Sequence, residues 1–358
     1  MIVPLQYLRG IAALMVVYHH AAFQLVKANS TLNVPLAGTG AAGVDIFFVI
    51  SGFIMWVTTR SATMTPFAFL YRRVIRIVPL YWAVTFLLLA VAAVNPGLLG
   101  ATTFDPAHAL LSLFFVPAPH PYLTGEILPF FIQGWTLNYE MFFYAIFALA
   151  MALGRRSMFA LIVAMLTACV LIGMIWEPRN TILKFYSSTL LFEFVGGMLL
   201  GWIYLRNANA PRAMAIPLIL AGSAALLLAE SAPFAFGPNG VMPERALVWG
   251  LPGLALVAGA VFLAGPSRSA GSGPLWWLGE ASYSLYLTHL LTLPAISLLW
   301  RGLGFGFQGA GGVLYLVVAI TLSALAACLI FVAFERPFTA LLRHGRSGQI
   351  RQMPPAPI

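Results

Sequence analysis

The sequence contains few charged residues. Only 8% of its 358 residues are Asp, Glu, Lys or Arg, whereas soluble domains contain about a quarter. Hydrophobic residues make up 61% of the chain, and the mean hydropathy is +0.92. This composition excludes a soluble enzyme. Cysteine is also scarce: Cys169 and Cys328 lie in apolar stretches without the spacing of a disulfide framework or a zinc site, so no metal site is expected.

Acidic residues are scarcer than basic ones. Ten Asp and Glu stand against nineteen Lys and Arg, for a formal net charge of +9. In a soluble protein this excess would indicate nucleic acid as a partner. Here the basic residues lie between apolar runs, which indicates membrane topology and binding of anionic lipid or a phosphorylated substrate, and no nucleic acid.

Long apolar runs fill most of the chain. Windows of about twenty apolar residues have the length of a membrane-spanning helix. They predict an all-α integral membrane protein with about ten transmembrane helices, at residues 5–25, 40–59, 77–95, 136–154, 158–176, 185–205, 213–230, 245–264, 280–300 and 313–334.

The distribution of Lys and Arg predicts the orientation. With the N-terminus inside, fourteen of the nineteen basic residues lie on the cytoplasmic side, and Lys27, Arg179, Lys184, Arg245 and Arg301 lie outside. This is the positive-inside pattern. Both termini are then cytoplasmic.

The domain organisation is predicted to be simple. Residues 1–337 form a single transmembrane domain, and residues 338–358 form a short, basic, disordered cytoplasmic tail. The longest outer connection, 96–134, is Pro-rich and lacks Lys and Arg, and it is expected to cover part of a site from outside. Pro79 is expected to break or kink the third span.

Charged groups inside a bilayer are costly, so each one is a functional candidate. Arg9 lies near the inner end of the first span, and His20 follows eleven residues later on the same face, about 16 Å away at 1.5 Å per residue. His19 points about 100° away and is the weaker candidate.

Two carboxylates are predicted at the level of His20. Asp45 lies just below the outer surface in the second span, and Glu140 lies at a similar depth in the fourth, below Trp135 as an interfacial anchor. A histidine near carboxylates is typical of a positioned general base. The alternative is that Asp45 and Glu140 tie helices together, and that His20 only forms a structural hydrogen bond with one of these carboxylates.

Other polar residues allow two readings. Arg72, Arg73 and Arg76 follow helical spacing on one predicted face, which suits phosphate binding but equally suits anchoring to anionic lipid. His289 lies mid-span, where a histidine is more often a buried hydrogen-bond partner than a functional group. Glu193 is interpreted as a buried polar residue that ties packed helices together. Glu335 is interpreted as part of a local ion pair or as a helix stop.

These motifs together resemble the acyltransferase 3 family of integral membrane acyltransferases. The resemblance covers nearly the whole chain. Within the family, the chain looks most like the bacterial exopolysaccharide-production acyltransferases. The motifs that carry it are LQYLRGIAALMVVYHH, GVDIFFVISGFIMW, FLYRRVIRIVPLYW, WTLNYEMFFY, SYSLYLTH and FERPF.

The resemblance implies transfer of an acyl group, commonly acetyl, from acyl-CoA to a hydroxyl of a cell-surface or secreted glycan. It ties the Arg-x10-His pair, here Arg9 and His20, to activity, and the Arg-x-x-Arg element, here Arg73 and Arg76, to the donor. Tyr81, at the end of the same motif, is assigned to the donor site with these arginines and Arg72. Trp135 and His289 are assigned to the acceptor.

The resulting hypothesis makes His20 the general base for the glycan hydroxyl, with Asp45 or Glu140 orienting its imidazole. A covalent acyl-histidine is the other route. No tightly bound cofactor is expected, and acyl-CoA is a substrate. The partners are membrane lipids and a polysaccharide or its precursor, with a polysaccharide-synthesis complex or a homodimer left open, in a bacterial inner membrane. The competing functions are a transporter or flippase for a lipid-linked glycan or small solute, and a structural membrane subunit.

Overall fold

A computed structural model describes residues 2–60, 64–95, 97, 104–176, 178–206, 212–230, 243–264 and 271–344. These residues form an all-helical bundle without β-strands; one isolated antiparallel bridge joins Pro119 and Ile127. Within the described ranges, nine helical segments are long and apolar enough to cross a membrane. The predicted fold class, an all-α multi-pass membrane protein, is therefore confirmed.

The described residues form fifteen α-helices. Their bounds are α1 Val3–Ala28, α2 Gly43–Arg60, α3 Pro66–Val94, α4 Pro106–Leu113, α5 Trp135–Leu153, α6 Met158–Trp176, α7 Thr181–Tyr186, α8 Leu191–Arg206, α9 Ala215–Ala229, α10 Pro243–Arg245, α11 Leu251–Ala264, α12 Pro274–Glu280, α13 Ser282–Gly302, α14 Ala310–Ile330 and α15 Arg336–His344. Two π-helical turns, Ala246–Gly250 and Phe331–Glu335, precede α11 and α15.

Helices α2 and α8 pack closely against each other. A Cβ added at Gly52 would lie 2.1 Å from the backbone oxygen of Phe194, and one at Gly197 would lie 2.0 Å from that of Val49. Both positions exclude any larger side chain. Small residues allow membrane helices to pack at this distance, and this packing holds α2 in the centre of the bundle.

The predicted span 185–205 is not one helix. The chain forms α7 and then α8, with a break at Ser187–Leu190, where the Ser188 hydroxyl accepts a hydrogen bond from the Leu190 backbone N–H. Serine and threonine side chains compete for backbone hydrogen bonds in this way. With 16 residues, α8 is about 24 Å long, shorter than a typical span. The count of ten spans is therefore not reached among the described residues.

The third span also differs from the prediction. It begins at Pro66 rather than near residue 77, with the Thr65 hydroxyl capping its N-terminus, and it continues through Pro79 to Val94. The expected break at Pro79 does not occur. As a result, the arginines of this segment lie within a continuous helix.

The C-terminal part is more ordered than predicted. Residues 338–344, assigned to a disordered tail, belong to α15, which packs on α3 through a hydrogen bond from the Tyr71 hydroxyl to the Leu342 carbonyl. The rest of the predicted tail, 345–358, lies outside the described residues.

Candidate active site

A cavity that is partly open to solvent lies between α1, α2, α3, α5 and α13. Its charged lining residues are Arg9, Arg73, Arg76 and Glu140. Three guanidinium groups against one carboxylate give the cavity a positive potential, which favours an anionic ligand.

Arg9 is held in place by neutral groups. Its guanidinium donates to the Gln6 side-chain oxygen at 3.1 Å and to the Ser282 hydroxyl at 3.0 Å, and the Gln6 amide in turn donates to Glu280 at 2.7 Å. Only 5% of Arg9 is exposed. Because neither direct partner is charged, the positive charge of Arg9 is oriented but not neutralised.

The three arginines of α3 do not share one environment. Arg73 and Arg76 line the cavity, and the Arg73 guanidinium lies 5.9 Å and 6.0 Å from the ring centroids of Phe69 and Tyr144. Arg72 does not line the cavity. Consecutive residues on a helix point about 100° apart. The three arginines therefore do not share the predicted common face: Arg73 and Arg76 face the cavity, and Arg72 does not.

Glu140 also belongs to the cavity. Its Oε1 accepts hydrogen bonds from the Ser51 hydroxyl at 3.0 Å and from the Tyr144 hydroxyl. It makes no hydrogen bond to His20. Since Ser51 follows Asp45 by six residues on α2, the two carboxylates differ in depth by about 9 Å, and the predicted common level is not found.

Asp45 instead pairs with Arg245. Its two carboxylate oxygens accept from Nε and Nη2 of Arg245 at 3.0 Å and 2.8 Å, and Asp45 is completely buried. The Arg245 guanidinium also lies 5.8 Å from the ring centroid of Trp135 and 4.6 Å from that of Trp249. A buried carboxylate requires such a partner. Asp45 therefore ties α2 to α10, to which Arg245 belongs, and does not orient His20.

A backbone carbonyl orients His20. Its Nδ1 lies 2.9 Å from the Val16 carbonyl oxygen one turn earlier in α1. A carbonyl only accepts hydrogen bonds, so Nδ1 carries the proton and Nε2 of the neutral ring keeps its lone pair. Among the described residues Nε2 has no hydrogen-bond partner. The partly buried imidazole is therefore set up as a proton acceptor without a carboxylate behind it.

His289 packs directly against His20. Their ring centroids are 4.9 Å apart. The Nδ1 of His289 donates to the Leu285 carbonyl at 3.1 Å, and its Nε2 accepts from the Gln133 amide at 3.0 Å. His289 is completely buried, so both its nitrogens are satisfied in the neutral form.

Tyr286 links the cavity wall to the two histidines, which do not themselves line the cavity. It lines the cavity, its ring centroid lies 5.9 Å from that of His289, and its hydroxyl accepts from Thr136 at 2.9 Å. His19 packs edge-on against His20, with 4.8 Å between their ring centroids, and its Nδ1 lies 2.6 Å from the Ala37 carbonyl oxygen. The structure thus places His20 and His289 together, beside a cavity that holds Arg9.

Tyr81 and Trp135 do not line the cavity. Tyr81 is completely buried; its hydroxyl lies 2.6 Å from the Ser112 hydroxyl and its ring stacks on Phe115. Trp135 is buried beside Arg245. Both residues position helices around the cavity instead of contacting its contents.

Sequence reasoning missed several polar residues of this region. Each of them is a polar or amphipathic side chain in or beside an apolar segment, and this position is the signal by which the sequence could have identified it. They are Gln133, Ser51, Tyr144, Ser282 and Arg245. Among the described residues no three His, Cys, Asp or Glu side chains are grouped closely enough to hold a metal ion.

The chain is similar to several known proteins. It is 35% identical over 311 residues to the "Exopolysaccharide production protein ExoZ" of Rhizobium meliloti (strain 1021), covering 87% of this chain and 92% of the relative. It is 29% identical over 338 residues to the "Putative membrane-bound transacylase BcsY" of Komagataeibacter xylinus, covering 88% and 78%.

A third relative is the "Acyltransferase MdmB" of Streptomyces mycarofaciens, 25% identical over 370 residues with coverage of 95% and 92%. No solved structure matches the chain. The profile of the acyltransferase domain family, Acyl_transf_3, matches residues 3–333, almost the entire length of the helical bundle. The protein is thus a member of the acyltransferase 3 family of membrane acyltransferases.

Proposed function

We propose that this protein transfers an acyl group, most simply acetyl, from acyl-CoA on the cytoplasmic side of a bacterial inner membrane to a hydroxyl of an exopolysaccharide or its precursor. The observation that carries the proposal is the free Nε2 of His20, fixed by the Val16 carbonyl, on the same helix as cavity-lining Arg9. The similarity to ExoZ supports the acceptor class.

The arginines support a donor-binding role for their end of the cavity. Arg9, Arg73 and Arg76 give the cavity its positive charge, and guanidinium groups bind phosphate with paired hydrogen bonds. With the positive-inside orientation, these residues lie toward the cytoplasm and His20 lies about 16 Å further along α1. The pantetheine arm of the donor extends between the helices over this distance.

The reaction then needs one proton acceptor. The glycan hydroxyl attacks the thioester carbonyl while Nε2 of His20 takes its proton. The C–S bond breaks, and the CoA thiolate leaves and takes the proton back from the imidazolium. An acyl-histidine formed at the same Nε2 is the alternative route.

The test is release of free CoA from acetyl-CoA by the protein in nanodiscs, with extracted host glycan as acceptor. His20→Ala should lower turnover by about 100-fold or more and leave CoA binding intact. His19→Ala, which removes the ring that packs edge-on against His20 at 4.8 Å but leaves the His20 imidazole in place, is the comparison variant and should lower turnover much less. Arg73→Ala combined with Arg76→Ala should chiefly weaken donor binding. Near-normal turnover in His20→Ala would refute the assignment.

If the folded protein releases CoA from no acyl-CoA, other acyl donors are tested next. Failure with all donors would refute the proposal and favour a transporter for a lipid-linked glycan or small solute, which consumes no thioester.

A further inference from the structure

Arg76 lies between the two other arginines of α3. On an ideal helix it points about 40° from Arg72 and about 60° from Arg73. Arg73 lies with it in the cavity wall, and Arg72 lies outside the cavity. The guanidinium of Arg76 is therefore at the border between the cavity and the adjacent surface.

A second helix brings another arginine to this border. The Tyr71 hydroxyl donates to the Leu342 carbonyl at 2.9 Å, which places Arg343, the next residue of α15, beside Arg72. Arg343 is exposed and lies within electrostatic range of both Arg76 and Arg72. The span Ala310–Arg343 has 34 residues, about 51 Å, so its α15 end extends beyond a hydrocarbon core of about 30 Å.

These positive charges are only partly balanced. Neither Arg76 nor Arg343 makes a hydrogen bond or salt bridge with any residue that the structure describes. The carboxylates near Arg76 are Glu140 in the cavity wall and Glu335, which accepts from Ser284 at 2.5 Å. Arg9 and Arg73 in the cavity and Arg72 beside Arg343 bring the number of guanidinium groups to five, and Glu280, within electrostatic range of Arg9, brings the number of carboxylates to three. Like charges repel at this range, so an anion at the border is favourable.

We propose that Arg343 and Arg76 form a second anion-binding position at the mouth of the cavity, which takes a phosphate group outside the cavity while Arg9 and Arg73 meet an anionic group inside it. The proposal rests on the proposed function, because acyl-CoA carries a pyrophosphate and a separate ribose 3′-phosphate. A dianionic phosphate monoester matches the two excess positive charges. An anionic phospholipid headgroup has the same phosphate chemistry, and the experiment separates these two sources.

The kinetic test compares acetyl-CoA with 3′-dephospho-acetyl-CoA in nanodiscs of zwitterionic lipid. Arg343→Gln should raise the KM for acetyl-CoA by about fivefold or more without changing kcat, and Arg343→Lys should restore part of the loss. With the 3′-dephospho donor, wild type and Arg343→Gln should have the same KM. The matched control is Arg206→Gln, which removes an arginine that stacks on Trp202 at 3.9 Å on the same predicted side of the membrane.

An equal KM for Arg343→Gln and wild type with acetyl-CoA would overturn the proposal. A defect that persists with the 3′-dephospho donor and appears only in nanodiscs with anionic lipid would assign the phosphate to a lipid headgroup and overturn the donor contact. Calorimetric binding of adenosine 3′,5′-bisphosphate needs no turnover: weaker binding to Arg343→Gln supports the site even where the protein proves not to use acyl-CoA.

Discussion

The imidazoles of His20 and His289 lie against each other, with 4.9 Å between their centroids and 59° between their planes. His289 donates from Nδ1 to Leu285 and accepts at Nε2 from Gln133. Protonation at Nε2 would break the hydrogen bond to the Gln133 amide. His289 therefore supports the His20 ring as a neutral group, and it adds no positive charge against the imidazolium that forms when His20 takes a proton.

Gln133→Met should lower kcat by about tenfold with little change in the KM for the donor. The variant removes the hydrogen bond to His289 Nε2, so the ring that supports His20 loses its fixed orientation, and small displacements of a general base are costly. Steady-state release of CoA measures the effect. Ser297→Ala, which removes a buried hydrogen bond to the Tyr315 hydroxyl at 2.7 Å further along the same helix as His289, is the control. An unchanged kcat in Gln133→Met would contradict the role of this hydrogen bond.

Breaking the Asp45–Arg245 pair should destabilise the fold. Asp45→Asn removes the carboxylate that accepts two hydrogen bonds from the Arg245 guanidinium in a buried site, at a cost of about 3–5 kcal/mol. Combining Asp45→Asn with Arg245→Met should cost less than the sum of the single changes, because both variants remove the same interaction. Unfolding in mixed micelles by denaturant measures this. If Asp45→Asn lost turnover at unchanged stability, Asp45 would have a direct role in the reaction.

Gly197→Ala should destabilise the contact of α2 with α8. The new methyl group would lie 2.0 Å from the Val49 carbonyl oxygen, so the helices must separate, at a cost of about 1–3 kcal/mol or more. Gly196→Ala is the neighbouring control: its methyl group would meet only the flexible Leu254 side chain, at 3.3 Å. Thermal unfolding of the two variants should differ clearly, and equal melting temperatures would contradict the close packing.

Acid should destabilise the connection between α4 and α5. Burial and the neighbouring His108 lower the pKa of His120 below its usual value, and its Nδ1 accepts from the backbone N–H groups of Tyr122 and Leu123. As the pH falls below about 6.5, His120 binds a proton in the unfolded chain before it does so in the folded protein. The stability that this histidine contributes at neutral pH is therefore lost below that pH. His120→Asn, whose side-chain oxygen replaces Nδ1, should show a smaller difference in melting temperature between pH 7.5 and 5.5. An identical difference would exclude His120 as the titrating group.

The local pattern of the sequence determined the helices and much of the helix register. Apolar runs of about twenty residues predicted the membrane helices, because a bilayer requires the backbone to satisfy its own hydrogen bonds. The spacing of Arg9 and His20 placed them on one face of α1, and the motifs identified the acyltransferase family over residues 3–333. Each of these features depends on residues close together along the chain.

Only the tertiary structure decided which polar groups meet. Asp45 pairs with Arg245, 200 residues away, rather than with His20, and His289 rather than a carboxylate supports the His20 ring. Arg73 and Arg76 line the cavity whereas Arg72 lies outside it, because the cavity contacts only one side of α3. Hydropathy and helical periodicity describe one helix at a time, whereas the partner of a buried charge depends on how distant helices pack around it.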